Sequence, residues 1–475
     1  LVSKLLIMLP LSLQFMIGSL KMPTTSEDIL ADISTASAAD FRGQLIARGQ
    51  ARAMIWKDGE LPPEAPKFDP KLSHDLRSYG YSLLGVGLRL REMDGNHNEA
   101  RIAFEQAATA LESVISKGAL GEIDRGFHFV MAAVSYHLAH LSARAFSLLS
   151  IVTDNGNFSL MEKSLSLLIR RDFNAIEKLI FDFRISGLGS DQKITADLQH
   201  SIDQYEKDQE QPGDSDEYWL SGLDLALTDG FFAAIAEFLL AVERGDAQLS
   251  DNSINRLREG LSICSELNLV PQWWTYRAAI HLLSDLWTNT FHQRLPIFPA
   301  GGEAEDWPNL RRLFIASLQR RFRAEIDLWP SQVLTASRAA DQSDNLVVSL
   351  PTSAGKTRIA ELCILRCLAA GKNIVFVTPL RALSAQTETT LQRTFGPLGK
   401  SISALYGSIG MNAYDEDVIR SQDIVVATPE KLDFALRNDP SLLDDVGLLV
   451  FDEGHMIGLN EREIRYEVQI QRLLK

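Results

Sequence analysis

Only three of the 475 residues are cysteine, Cys264, Cys363 and Cys367, and no two of them form a Cys-x-x-Cys pair. That scarcity excludes a disulfide-stapled scaffold and gives no zinc site; it reads as buried thiols on helices in a reducing, cytoplasmic compartment. Long hydrophobic runs are also scarce. Residues 5–20 come nearest to one, between Lys4 and Lys21, but Pro10, Gln14 and Gly18 interrupt them. The stretch is too short for a secure transmembrane helix and has no small-residue cleavage site. Because the chain opens on Leu, and Met22 with the polar run after it fits a start, residues 1–21 are expected to be a doubtful leader.

Positive charge is the third shortage. The chain carries 47 Lys and Arg against 62 Asp and Glu, a net charge of −15. Residues 345–475 hold 14 and 16 of these, about −2, so about −13 falls on the region before them. An acidic surface of this kind repels nucleic-acid phosphates and suits docking of a protein partner or regulation. With 45% apolar and 23% charged residues, the composition is that of a globular protein with room for about two to four domains.

Residues 28–295 read as helix almost throughout. Ala100, Ala103, Phe104, Ala107, Ala108, Leu111, Val114 and Ile115 trace one face at helical spacing, and the alanines allow close helix approach. Similar stripes recur through residues 127–149, 158–188, 231–242, 254–267 and 273–286, which suggests an array of paired helices. Residues 203–217 hold Gln-Pro-Gly and seven acidic residues against one Lys, and residues 296–308 hold Gly301-Gly302 among acids; both read as surface linkers. The expected domains are therefore 22–202 and 218–295, both helical, and 309–475. His128, His137, His140 and His281 lie on helices with no ligand partner at metal-binding spacing, and packing is their expected role. Arg311, Arg312, Arg320, Arg321 and Arg323 either face phosphates or form a solvated face.

The chemistry sits in residues 345–455. An aliphatic run at 345–350 reads as a strand, Pro351 to Thr357 as a turn, and apolar residues at helical spacing follow. A loop between strand end and helix start gathers backbone N–H groups and the positive end of the helix dipole, which binds an anion such as phosphate. Gly355 lets the backbone approach closely, Lys356 reaches the β and γ phosphates, and Thr357 ligates Mg²⁺. The spacing matches Gly-x-x-x-x-Gly-Lys-[Ser/Thr] except that Leu350 replaces the first Gly. Downstream, residues 446–451 read as a buried parallel strand ending on Asp452-Glu453-Gly454-His455, a Walker B type box. There Asp452 takes the metal and Glu453 orients the attacking water. Two further strands are expected, at 373–377 and 423–427.

These residues resemble superfamily 2 helicases, with the Ski2-like, Hel308-type and DEAD/DEAH-box groups nearest. Residues 350–357 look like motif I, Thr378-Pro379-Leu380-Arg381-Ala382-Leu383 like motif Ia, Ala427-Thr428-Pro429-Glu430-Lys431-Leu432 like motif Ib, and Asp452-Glu453-Gly454-His455 like motif II. Trp329-Pro330-Ser331-Gln332 is similar to the adenine-reading Q-motif. The resemblance covers about the last third of the chain. It implies an incomplete RecA-like α/β domain with a parallel sheet, following an all-α region. It implies ATP and Mg²⁺ held by Gln332, Thr352, Ser353, Ala354, Gly355, Lys356, Thr357 and Asp452, with Lys356, Asp452 and Glu453 catalytic. It also implies a single strand of DNA or RNA whose phosphates Thr378, Pro379, Arg381, Thr428 and Pro429 grip.

Motif III and a second RecA-like domain bearing arginine fingers do not occur among these residues, so the chain is expected to be the N-terminal part of a longer helicase and inactive by itself. The alternative is a nucleotide-regulated interaction protein whose helical array docks a partner and whose motor is degenerate. Large bacterial helicases of this group with helical extensions occur in antiphage defence and in repair.

Overall fold

The computed structural model describes residues 25–38, 41–55, 63–65, 68–69, 71–95, 98–115, 124–150, 158–185, 215–302, 304–350, 355–405, 413–454, 464, 467–468 and 470–471. The doubtful leader at 1–21 and most of the acidic linker, 203–214, lie outside them. The chain forms two compact units that divide between Thr288 and Asn289, seven residues before the boundary expected at 295.

The first unit is helical: α1 (Ser26–Ser37), α2 (Phe41–Ile55), α3 (Leu72–Asp94), α4 (Asn98–Ile115), α5 (Arg125–Leu138), α6 (Ser142–Ser150), α7 (Leu160–Ile169), α8 (Phe173–Ile185), α9 (Ser215–Arg244), α10 (Ala247–Glu266) and α11 (Val270–Asn289), whose last residue opens the second unit. Helices pack mostly on their neighbours in the chain. Local chemistry sets several starts. Thr25 and Asp28 form a capping box on α1, Ser159 and Glu162 another on α7, and Asp246 accepts from two N–H groups of α10. The alanine-rich stripe of α4, from Ala100 to Ile115, is buried throughout. The segment Gly222–Arg244 of α9 is long and apolar enough to cross a membrane, and half of its most apolar window is buried within this unit. Phe231, Phe232, Ile235 and Phe238 are fully buried there.

Buried charge links helices far apart in sequence. Arg277 and His281 of α11 bind Glu92 of α3 at 2.8 and 3.1 Å, and Asp285 of α11 meets Arg91 at 2.8 Å and His137 of α5 at 3.3 Å. His128 meets the Tyr81 hydroxyl at 2.7 Å. Three of the four histidines singled out in the sequence thus have polar partners, all supplied by other helices.

The second unit continues with α12 (Phe291–Arg294), α13 (Trp307–Gln319), α14 (Pro330–Ala339), α15 (Lys356–Ala369), β1 (Asn373–Val377), α16 (Arg381–Phe395), β2 (Ile402–Ala404), α17 (Ala413–Ser421), β3 (Ile424–Ala427), α18 (Pro429–Asn438) and β4 (Val446–Phe451). The four strands form one parallel sheet in the order β2-β3-β1-β4. Alternate residues face opposite sides, as strand geometry requires. Ile374, Phe376, Ile424 and Val426 join a core with α13, α15 and α16, while Val375, Val377, Val425 and Ala427 join one with α17 and α18. The helical region followed by a parallel α/β sheet agrees with the architecture read from the sequence.

Two details differ from expectation. Residues 345–350 carry no ladder hydrogen bonds to any described strand; exposure alternates along them, with Leu346, Val348 and Leu350 packed on the core and Val347 exposed. The expected strand is therefore an extended segment laid over apolar side chains. β4 is half-buried rather than buried, because only β1 pairs with it among the described residues.

Candidate active site

The phosphate loop ends in a conformation that suits an anion. Gly355, the N-cap of α15, has φ +85° and ψ 31°, a left-handed geometry that glycine adopts without steric cost. Arg358 N–H bonds back to the Gly355 carbonyl at 3.1 Å, so the turn closes directly onto the helix. A 14-residue helix therefore starts at Lys356, with its unsatisfied N–H groups and positive dipole end at the loop. Lys356 is half-buried and Thr357 exposed. Thr352, Ser353 and Ala354 lie outside the described residues, as does His455.

The sheet brings three motifs into one row. Val377, Ala427 and Phe451 are in register at the carboxyl ends of β1, β3 and β4. The residues that follow continue the ladder: Thr378 N–H bonds to Ala427 O and Asp452 N–H to Val377 O, each at 3.0 Å. Asp452, Thr378 and Thr428 thus line the carboxyl edge of the sheet, where open α/β sheets bind ligands. A bulge sets this register. Between Asn373 and Ile374 the pairing skips Gly447, whose Cβ, if present, would stand 2.6 Å from the Cβ of Lys372.

After the strand the chain turns sharply. Glu453 takes φ +54°, in the left-handed region that costs a non-glycine residue about 1–2 kcal/mol, and its N–H bonds to Asp452 Oδ1 at 2.9 Å. Nothing in the local sequence announces this conformation. It separates two consecutive acidic residues immediately beyond β4.

Other motif side chains are occupied within the protein. The Thr378 hydroxyl is fully buried against Ser384 Oγ at 2.6 Å, fixing the first turn of α16 to the end of β1. The Thr428 hydroxyl accepts from Lys431 N–H at 3.4 Å as the N-cap of α18, with Pro429 at the first helical position. Both hydroxyls thus make contacts within the protein. Pro379 is buried, Pro429 half-buried, and Arg381 opens α16. Gln332 is buried as well. Its Oε1 accepts from Trp329 N–H at 2.9 Å, and its Nε2 donates to Gly355 O at 3.3 Å.

Some residues elsewhere in this unit escaped the sequence reading. Arg366 is fully buried and donates to Ala300 O, Gly302 O and Gln342 Oε1 at 3.0–3.2 Å, so the expected linker at 296–308 is tied into this unit. Its partners lie 24 to 66 residues away, beyond any local pattern. Of the five arginines near 311–323, Arg311 donates to His292 O and Leu295 O, and Arg321 to Glu325 and Thr394. These two are interior struts, while Arg312, Arg320 and Arg323 are exposed. Burial pushes the Cys363 and Cys367 thiols up to about 11 and about 12, well away from reactive thiolate.

Comparison with known proteins shows what the C-terminal part of the chain is similar to. Residues 329–475 match the DEAD/DEAH box helicase model. The chain is similar to Hachiman protein HamB of Bacillus cereus, 21% identical over 430 residues, which cover 90% of this chain and 35% of that protein. It is also similar to the ATP-dependent DNA helicase Hel308 of Pyrococcus abyssi, 34% identical over 157 residues, and of Thermoplasma acidophilum, 40% identical over 120 residues. Those matches cover 32% and 25% of this chain, and 21% and 17% of the two helicases. The chain thus spans about a third of the length of HamB and less of the two Hel308 proteins, and the similarity to HamB reaches through most of the helical region.

Proposed function

We propose that this chain, whose C-terminal part carries a DEAD/DEAH box helicase domain, acts within an ATP-dependent helicase that moves along a single strand of nucleic acid. The observation that supports this most is the single row of Asp452, Thr378 and Thr428 at the carboxyl edge of the sheet, in a domain whose α15 opens on a left-handed Gly355. Bound ATP and Mg²⁺ would supply the phosphoanhydride and the charge that polarises it. The residues fit them: the α15 N-terminus and Lys356 suit phosphate oxygens, and Thr357 and Asp452 are hard oxygen ligands for Mg²⁺. Glu453 orients the water, held by the turn that sets it apart from Asp452. Since the Hel308 relatives are DNA helicases, DNA is the favoured strand.

Thr378 and Thr428 hold the ends of β1 and β3 against α16 and α18 by their hydroxyls. Their contribution to strand binding is therefore through backbone groups and the helix starts they fix, which bind phosphates without reading sequence. The acidic helical unit is read as a docking surface for a protein partner, since its charge disfavours nucleic acid.

The experiment is Lys356→Ala in the native full-length protein, with ATP hydrolysis and circular dichroism measured together. Loss of turnover with the fold intact supports the reading; wild-type turnover in that variant overturns it.

A further inference from the structure

The helix that starts at Lys356 is tied to the helix that starts at Arg381 through a closed set of polar groups, of which Glu361 and Thr394 are buried and Glu325 lies at the exposed rim. Arg358, one turn into α15, pairs with Glu361 of the same helix at 2.5 Å and with Glu325, which lies between α13 and α14. Glu325 also binds Arg321 at 2.6 Å. Arg321 donates to Thr394 Oγ1 at 2.9 Å, and that hydroxyl donates to Glu361 Oε1 at 2.7 Å. Five residues from three segments thereby close a ring. Apolar groups surround it: the Arg358 guanidinium lies over the rings of Phe291 and Phe314 at 5.7 and 5.8 Å, and Phe314 stacks on Phe395, next to Thr394.

Thr394 occupies the last turn of α16. The first turn of the same helix is fixed to the end of β1 by Ser384 and Thr378. Helix α16 is therefore held at both ends by hydroxyls, one at the sheet edge and one on the helix of the phosphate loop. A charged ring of this kind, walled by aromatic side chains, tolerates few arrangements, because each member keeps two partners at once and a shift of one segment weakens both of its contacts. A shift at the start of α15 must then either move α16 with it or break the ring.

We infer that Thr394 and Glu361 are positioning residues that couple the nucleotide end of this domain to its strand-binding end, so that nucleic acid gripped near the start of α16 raises ATP turnover through them. This rests on the helicase reading above. The coupling is a free energy shared between two sites, for which factors of about 5- to 150-fold are typical.

The test uses the native full-length protein. Thr394→Val keeps the side-chain shape and removes both hydrogen bonds of the ring. Its KM for ATP and its turnover without nucleic acid are expected to stay within about twofold of wild type, while stimulation by single-stranded DNA falls about 5- to 20-fold. Thr394→Ser should restore stimulation. Glu325→Gln, at the exposed rim of the ring, should show the same selective loss if Thr394→Val proves insoluble. A double-mutant cycle of Glu361→Gln with Thr394→Val should give non-additive losses of stimulation. Unchanged stimulation in these variants, or basal and stimulated rates falling in proportion, overturns the inference while leaving the helicase reading in place. A wild-type protein without ATP turnover overturns both.

Discussion

The side-chain amide of Gln332 donates to the carbonyl of Gly355 at 3.3 Å, and a Cβ on Gly355 would stand 1.9 Å from that same nitrogen. Gln332 is thus packed directly on the residue that opens α15. The absence of a side chain at 355 serves two purposes: it permits the left-handed turn and it leaves space for Gln332. A change in either residue is felt by the other.

Gly355→Ala is accordingly expected to destabilise the domain by about 1–2 kcal/mol from the left-handed conformation alone, with the contact to Gln332 adding to that. Nucleotide binding should weaken by about tenfold or more, a loss of about 1.4 kcal/mol. Adding Gln332→Ala should recover the steric part and leave the conformational part. Thermal melts and titration with a fluorescent ATP analogue check this, and a single Gly355→Ala variant with wild-type melting would refute it.

Glu453→Gln separates chemistry from binding. Glutamine pays the same left-handed cost at φ +54° as glutamate, so stability should stay within about 0.5 kcal/mol of wild type. With Asp452 intact, nucleotide and Mg²⁺ should still bind, while hydrolysis falls about 10²- to 10⁴-fold as the water loses its orienting carboxylate. Binding and single-turnover assays on the native protein decide it. Loss of nucleotide binding would move the metal role to Glu453.

What could be read from the sequence here was what lies in short contiguous segments. β1, β3, β4 and the helix after Gly355 follow from aliphatic runs and helical spacings, because strand and helix patterning is local. Residues 345–350 misled, since an aliphatic run satisfies either a ladder or an extended segment packed on one side. Ile402–Ala404 was missed because three residues, one of them serine, make no pattern. The interior ionic contacts were out of reach for a different reason. Arg321 meets Thr394 across 73 positions and Arg277 meets Glu92 across 185, and no spacing rule connects residues so far apart.

Arg366 gives a test of such a contact. Arg366→Met keeps much of the apolar stem but strands two backbone carbonyls and one amide oxygen. The expected loss is about 1–3 kcal/mol, from part-buried acceptors left without this donor. Arg366→Lys should recover part of it by reaching one carbonyl. Urea unfolding followed by far-ultraviolet dichroism would show it, and a midpoint equal to wild type in Arg366→Met would mean that the segment around Ala300 and Gly302 is held by other contacts.

The helical unit should lose stability in acid over two ranges of pH. Burial, with the nearby Arg77 charge, pulls the His128 imidazole down to about 4 from its ordinary 6.5. A base depressed in the folded state is protonated first in the unfolded chain, so its stabilising contribution is present above pH 6.5 and is lost as pH falls towards 4. Glu92 behaves differently. Burial opposes its charge, but hydrogen bonds from His281 and Arg277 outweigh this and hold its carboxyl at about 2, against an ordinary 4.5. Its contribution is therefore complete above pH 4.5 and disappears between there and 2. In the upper range His140 and His281 act with His128, both being pulled down chiefly by burial. His128→Gln should reduce the slope of stability against pH between 6.5 and 4 by up to about 1.4 kcal/mol per pH unit, the value for one proton, and leave the lower range unchanged. Glu92→Gln should lower stability at neutral pH and flatten the curve below 4.5, and, by removing the carboxylate that supports protonated His281, should not flatten the upper range. Urea midpoints measured from pH 7.5 to 2.5 on both variants would separate the two effects; an unchanged upper slope in His128→Gln would show that His128 does not contribute to it.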